Sequence, residues 1–104
     1  MKRKIFFSNF KRKYYSINLN YESYESNSKD SIIILHALFG NLHNFKYISL
    51  NNLKLKSNFN LILPDLRNHG NSKHLNSMSY NDMTDDIIQL MDHLNIEKSH
   101  FIGQ

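Results

Sequence analysis

The sequence predicts an α/β fold with a mostly parallel sheet, an antiparallel N-terminal strand and helices on both faces of the sheet. Two short runs, SIIILH at 31–36 and FNLILPD at 59–65, are apolar on both faces, as in strands that are covered on each side. After each run comes a segment whose apolar residues recur at helical spacing, so that strands and helices alternate along the chain.

The elements before the second buried strand follow from periodicity. YYSINLNYESY alternates, with Tyr15, Ile17, Leu19 and Tyr21 on one face, which predicts a half-buried strand of the antiparallel type. The first buried strand, SIIILH, comes next. A helix of modest propensity is predicted from 44 to 55, and the second buried strand ends at Pro64.

The clearest helix follows Ser79. Its apolar stripe recurs at intervals of three and four residues: Tyr80, Met83, Ile87, Leu90, Met91 and Leu94. Ser79 is the expected N-cap, with Asp82 as its capping-box partner. Asp85 and Asp86 are predicted to lie on the solvated face. KSHFIG then predicts a third strand.

The charge divides the chain of 104 residues into a basic N-terminal segment, 1–13, and a single unit, 14–104. The net charge is +4, and six cations lie in the first thirteen residues: Lys2, Arg3, Lys4, Lys11, Arg12 and Lys13. Such a cluster can attract a polyanion, so a basic nucleic-acid-associated protein is one alternative, although a solvated basic end is the favoured interpretation of so local a cluster.

The cysteine and histidine content and the length of the apolar runs limit the kinds of site and location that the sequence predicts. The chain has no cysteine, which excludes disulfides and thiolate metal sites and fits a cytoplasmic location. No apolar run approaches the length of a membrane span. Its six histidines have none of the spacings that metal sites use, so no metal site is predicted.

The distinctive residues follow the three predicted parallel strands, as HALFGN, DLRNHGNS and GQ. In open α/β sheets, sites lie outside the carboxyl ends of the strands. From Ile32 onward, LHALFGNLHNF, LILPDLRNHGNS, MSYNDMTDDIIQLMDHLNI and HFIGQ resemble, in order and spacing, the N-terminal portion of an α/β-hydrolase of the YbfF-type esterase branch. The resemblance implies hydrolysis of a small acyl ester or thioester by a serine nucleophile, without a cofactor.

The resemblance also implies roles for the loop after the first buried strand. His36 matches the histidine that opens the family's oxyanion loop, and Gly40 matches its closing glycine. Leu38 stands where a backbone N–H would help to form the oxyanion hole, with Phe39 beside it. Ala37 replaces a glycine of the family, so we expect strain there if the turn needs a positive φ.

Two further segments match the family. Gly103 would be the first glycine of the nucleophile elbow, Gly-x-Ser-x-Gly, and Gln104 stands where the family usually has histidine. The remaining matches are predicted to build a structural turn: Asp65, Arg67, His69 and Gly70. Within this turn, an ion pair is predicted between Asp65 and Arg67.

The family's serine would follow Gln104, and its acid and base come later still in the chain order of this fold. As written, the chain is therefore expected to be the N-terminal fragment of an esterase or thioesterase and to be inactive alone. The alternative is a non-enzymatic remnant or a small binding module.

Overall fold

A computed structural model describes residues 17–103. Its single sheet contains β1 (Tyr21–Tyr24), β2 (Ser31–Leu35), β3 (Asn60–Pro64) and β4 (His100–Gly103), in the order β1-β3-β2-β4. β2 is parallel to both β3 and β4, whereas β1 is antiparallel to β3. The predicted fold class is confirmed. The basic segment 1–13 and Gln104 lie outside the described residues.

Helices cover both faces of this sheet. α1 (His43–Asn51) and α2 (Leu53–Asn58) follow β2, and α3 (Tyr80–His93) follows β3. On one face Ile32 and Ile34 pack with Phe45 and Leu55 of the first two helices. On the other face Ile33 and Ile62 of the sheet pack against Ile87, Leu90 and Met91 of α3. Successive side chains of β2 and β3 pack into cores on opposite faces of the sheet. Both strands are therefore continuous apolar runs.

Two element predictions need correction. The helix predicted from 44 to 55 is broken at Asn52, whose extended backbone (ψ 102°) ends α1 while its side chain caps α2 by accepting the Leu55 N–H at 3.1 Å. Among the described residues the N-terminal strand begins at Tyr21, and the part predicted at 14–16, with Tyr15, lies outside them. Ile17, Leu19 and Tyr21 do share one core cluster. The carbonyl of Asn20 accepts the Asp65 N–H at 2.8 Å, which continues the antiparallel register of β1 and β3 by one pair beyond the strand.

The predicted start of α3 is confirmed. The Ser79 side chain accepts the Asp82 N–H at 3.0 Å, and the Asp82 carboxylate accepts the Ser79 N–H at 3.1 Å. This reciprocal capping box satisfies two donors that a helix N-terminus leaves open. Within residues 17–103, no helix is both long enough and apolar enough to cross a membrane.

Candidate active site

Two loops meet at the carboxyl edge of the sheet. We call residues 36–40 the β2 loop and residues 65–72 the β3 loop. Because β2 and β3 are parallel neighbours, their following loops emerge side by side. The structure thus brings together the segments that the sequence had singled out separately.

The β2 loop is a tight turn that carries its strain at Phe39. The Gly40 N–H donates to the Ala37 carbonyl at 2.9 Å, which closes the turn. Phe39 has a φ of 66°, and Ala37 is not among the residues with positive φ. The expectation of strain at Ala37 was therefore wrong, because the turn places its left-handed residue two positions later. A bulky side chain in that conformation costs about 1–3 kcal/mol and needs support from its surroundings.

His36 joins the two loops through both ring nitrogens. Its Nε2 accepts the Leu66 N–H at 2.9 Å, and its Nδ1 lies 2.8 Å from the Ala37 carbonyl. A backbone N–H can only donate and a carbonyl can only accept, so the ring must carry its proton on Nδ1. His36 therefore fastens the start of the β2 loop to the start of the β3 loop.

His69 makes the matching connection in the opposite direction. Its Nε2 accepts the Phe39 N–H at 3.1 Å, and its Nδ1 lies 2.8 Å from the Arg67 carbonyl. The His36 and His69 rings are 5.1 Å apart and tilted by 50°. Both side chains are buried, and neither has a ring nitrogen left to bind a metal or to take a substrate proton.

Asp65 organises the β3 loop as a buried acceptor. Its carboxylate accepts the Leu42 N–H at 2.7 Å, the Asn71 N–H at 3.0 Å and the Asn20 side-chain amide at 3.0 Å. Burial raises the pKa of the Asp65 carboxyl, but the hydrogen bonds from Asn71, Leu42 and Asn20 together bring the pKa below its ordinary value. The predicted ion pair between Asp65 and Arg67 was wrong, because the Asp65 oxygens are directed at backbone and amide donors.

Arg67 pairs instead with Asp86 of α3. Its Nε and Nη2 donate to the two carboxylate oxygens at 2.6 and 2.9 Å, a bidentate pair that is buried on both sides. The hydrogen bonds that Arg67 donates to Asp86 raise the pKa of its guanidinium. Its Nη1 donates to the Ser77 carbonyl at 3.0 Å. The pair thereby ties α3 to the β3 loop.

The prediction that Asp86 lies on the solvated face was therefore wrong, since its side chain is only 3% exposed. The sequence carried a signal that would have found it. Asp86 lies three residues after Met83 and four before Leu90, within the apolar stripe of α3. Asp85, its neighbour, is exposed as predicted.

Two glycines make the crowding of these loops possible. Gly70 has a φ of 52°, and a side chain there would collide with the Asp65 carboxylate. A Cβ on Gly40 would lie 2.5 Å from the Asn44 side-chain oxygen and 3.0 Å from the Ala37 carbonyl oxygen. A side chain at Gly70 would therefore displace the Asp65 carboxylate and be strained at this φ, and one at Gly40 would displace the Asn44 side chain.

The Leu38 backbone N–H is a donor of the β2 loop that remains available. It has no hydrogen-bond partner among residues 17–103, and the Leu38 side chain is 64% exposed. Gly103, at the end of β4, is paired in register with Leu35, the last residue of β2. A backbone donor and the end of β4 are thus neighbours at one edge of the sheet.

An apolar groove of about 730 Å³ borders the same edge. α3 contributes Met83, Ile87 and Met91, and β4 contributes Phe101. Across the part of the chain that the structure describes, no three histidine, aspartate or glutamate side chains are grouped closely enough to hold a metal ion.

Comparisons with known proteins agree with this architecture. The family model for the α/β hydrolase fold matches residues 30–104. Esterase YbfF of Escherichia coli is 32% identical over 88 residues, which cover 84% of this chain and 34% of that protein. An sn-1-specific diacylglycerol lipase of Danio rerio is 33% identical over 88 residues, covering 84% of this chain and 27% of the lipase.

The solved structure of a marine microorganism esterase superposes with a TM-score of 0.75 at 35% identity, over 86% of this chain and 33% of that one. The chain thus spans about a quarter to a third of the length of the relatives that it matches. The family match covers more than half of this chain, and the sheet order and loop geometry agree with it. The chain belongs to the α/β-hydrolase fold family.

Proposed function

We propose that this chain contributes the oxyanion-loop half of a serine hydrolase site that cleaves a carboxylic ester or a thioester. The observation that carries the proposal is the free Leu38 N–H, held in a strained turn at the carboxyl edge of the sheet, beside the end of β4. Membership of the α/β-hydrolase family and the esterase and lipase names of its relatives support this class of reaction.

The chemistry assigned to Leu38 is electrostatic. Acyl transfer builds negative charge on the carbonyl oxygen of the substrate, and a fixed backbone donor stabilises that charge without having to reorganise. In this fold the second donor is the N–H of the residue that follows the nucleophile. The proposed elbow begins at Gly103, continues through Gln104 and has its serine immediately afterwards.

The remaining groups of the proposed reaction are a histidine that takes the serine proton and an acid that orients this histidine. Both follow the serine in the chain order of this fold, so the proposal places them in a longer polypeptide that includes this segment. Residues 1–104 alone are then inactive. The proposed enzyme is cytoplasmic, uses no cofactor and acts on small acyl esters or thioesters.

A graft tests this proposal. The region of the chain that matches esterase YbfF would replace its counterpart in that enzyme, which keeps its own residues for the rest of the site. We expect the graft to hydrolyse p-nitrophenyl esters. Changing Leu38→Pro removes the donor, and proline suits the second position of a type II turn. We expect kcat to fall about 10²–10³-fold with little change in KM, as for other oxyanion donors.

Leu38→Ala is the matched control, since it shortens the same exposed side chain but keeps the N–H. We expect its kcat to stay close to that of the unmodified graft. The proposal fails if the proline and alanine variants are equally active, or if the graft labels with a serine-reactive fluorophosphonate but hydrolyses no ester.

A further inference from the structure

The β2 loop has a definable turn type. The Gly40 N–H to Ala37 carbonyl bond makes residues 37–40 a β-turn with Leu38 and Phe39 at its centre. Phe39 has positive φ, whereas Leu38 is not among the positive-φ residues. Positive φ at the third position alone is the pattern of type II, because type I has it at neither central residue and type I′ at both.

Type II is an unfavourable choice for this sequence. The third position of a type II turn normally holds glycine or asparagine, but here it holds a phenylalanine whose side chain is 91% exposed and so is not fixed by packing. The type I alternative uses only right-handed conformations, which phenylalanine adopts without strain. Something other than the side chain of Phe39 must therefore select the turn.

The difference between the two turns lies in the peptide that joins Leu38 to Phe39. Type I and type II differ by a rotation of about 180° of this central peptide, so the Phe39 N–H points to opposite sides in the two forms. In the structure it points at His69 Nε2, 3.1 Å away. A flip to type I would remove this hydrogen bond and leave a buried ring nitrogen unsatisfied.

His69 is itself held rigidly enough to make that selection. Its Nδ1 donates to the Arg67 carbonyl at 2.8 Å, and Arg67 is anchored to α3 by its two hydrogen bonds to Asp86. The connection thus runs from α3 through Arg67 and His69 to the Phe39 N–H. Every group in it is part of the described chain.

We propose that His69 is a positioning residue, whose Nε2 selects the type II turn of the β2 loop by accepting the Phe39 N–H, so that of the two central N–H groups of the turn only that of Leu38 is left free. The catalytic consequence rests on the proposed function, because only an oxyanion site depends on which of these two N–H groups is free. The structural claim stands on the hydrogen bond and the turn alone, and it can be tested without substrate.

The test is nuclear magnetic resonance on the full 104-residue chain labelled with ¹⁵N. The proposal predicts a scalar coupling across the hydrogen bond from the Phe39 amide nitrogen to His69 Nε2, with the His69 proton on Nδ1. It also predicts a short distance from the Leu38 Hα to the Phe39 amide proton, as in type II, instead of the amide-to-amide approach of type I. Absence of the coupling, or a proton on His69 Nε2, overturns the proposal.

Two variants distinguish the hydrogen bond made by Nε2 of His69 from the one made by its Nδ1. In His69→Gln the side-chain oxygen can take the place of Nε2, so we expect the type II distances to remain. In His69→Asn the side chain reaches only the place of Nδ1; it can keep a contact to the Arg67 carbonyl but not to Phe39. We expect that variant to lose the type II distances and its Phe39 amide to exchange about fivefold to tenfold faster, as for loss of one hydrogen bond.

The proposal is overturned if Phe39 behaves alike in the glutamine and asparagine variants, whether both keep the wild-type turn or both lose it. None of these signals depends on hydrolysis. A failure of the esterase graft with the coupling present would contradict the proposed function alone, and a missing coupling with an active graft would contradict the role of His69 alone.

Discussion

The β2 and β3 loops and the strand β4 are held in place in opposite ways. Around the β2 and β3 loops, the buried polar groups of His36, Asp65, Arg67 and His69 are all hydrogen-bonded. Around β4, all four residues are exposed, including Phe101 at 51% and Ile102 at 40%, and the strand lies at the edge of the sheet. One end is fixed by directed polar contacts, and the other is apolar and open.

This contrast teaches where the precision of the site comes from. Donors and acceptors in the loops have preferred directions, so a network of them restricts the backbone to one arrangement. Apolar surface has no such directionality and specifies only that something should cover it. The oxyanion half of the proposed site is therefore preorganised by hydrogen bonds within the chain, whereas β4, where the proposed elbow begins, is held among residues 17–103 by its strand pairing with β2.

The largest effect is expected from breaking the anchor of the loop network on α3. Asp86→Asn leaves the buried Arg67 guanidinium with only the Asp82 carboxylate, 3.6 Å from its Nη1, as a nearby counter-charge. We expect the free energy of unfolding to fall by about 3 kcal/mol in denaturant titrations, the lower end of the range for breaking a buried pair. Asp85→Asn is the matched control on the neighbouring, exposed residue, with an expected change within about 0.5 kcal/mol. Equal effects of the two substitutions would show that the Arg67–Asp86 pair does not anchor the loops.

The contribution of Asp65 to the free energy of unfolding is expected to depend on pH. Burial raises the pKa of its carboxyl, but the hydrogen bonds from Asn71, Leu42 and Asn20 hold the folded-state pKa below the ordinary value of 3.8. A lowered folded pKa means that the contribution of the carboxylate to the unfolding free energy is complete above the unfolded pKa, near 4, and is lost as pH falls through the folded pKa.

Asp65→Asn should therefore cost about 1–3 kcal/mol at neutral pH, because one acceptor oxygen is replaced by a donor facing N–H groups. The same variant should lose less stability than the wild type between about pH 4 and pH 2. Unfolding free energies measured over that range test both statements. Parallel pH profiles for the two proteins would contradict the account.

A smaller effect is expected at the start of α3. Ser79→Ala removes the acceptor for the Asp82 N–H and should lower the unfolding free energy by about 1 kcal/mol. Ser79→Thr, which retains a hydroxyl acceptor, should recover most of the loss. The cap touches the loop network, because the Asp82 carboxylate lies 3.6 Å from Arg67 Nη1. Asp86 still anchors Arg67 in the Ser79→Ala variant, so the Phe39 amide should exchange as in the wild type; a changed rate would mean that Asp82 shares in the anchoring.

The smallest effect on the free energy of unfolding is expected at the exposed strand β4. Ile102→Lys on β4 should change the unfolding free energy by no more than about 0.5 kcal/mol, because the side chain is already partly in water. A charge on an apolar edge strand opposes pairing between chains, so self-association in sedimentation should decrease. Tyr47→Lys, at an exposed position of α1, is the control and should leave self-association unchanged.

The same contrast explains how much the sequence could predict. The strands β2 and β3 and the capped helix α3 were predictable because apolar periodicity and capping are local patterns. The resemblance identified the family and the segments that meet at the site. The break at Asn52 was missed because the capping preference of asparagine was not weighed against the apolar spacing around it.

The polar network itself could not be predicted. Arg67 had several acidic neighbours in the sequence, and only the packing of α3 on the sheet decides that Asp86 is its partner. Likewise, a positive φ was expected at Ala37 by analogy, but it occurs at Phe39, where a residue thirty positions away holds the peptide. Directed contacts between distant segments leave little trace in local sequence.

The most direct test of the account is a crystal structure of the esterase graft after reaction with a phosphonate that attaches to the serine. The phosphoryl oxygen then marks the position of the oxyanion. The account predicts that this oxygen accepts the Leu38 N–H at about 2.7–3.1 Å, with the Phe39 N–H still on His69 Nε2. An oxygen bonded to the Phe39 N–H, with His69 displaced, or one with no contact to the β2 loop, would contradict it.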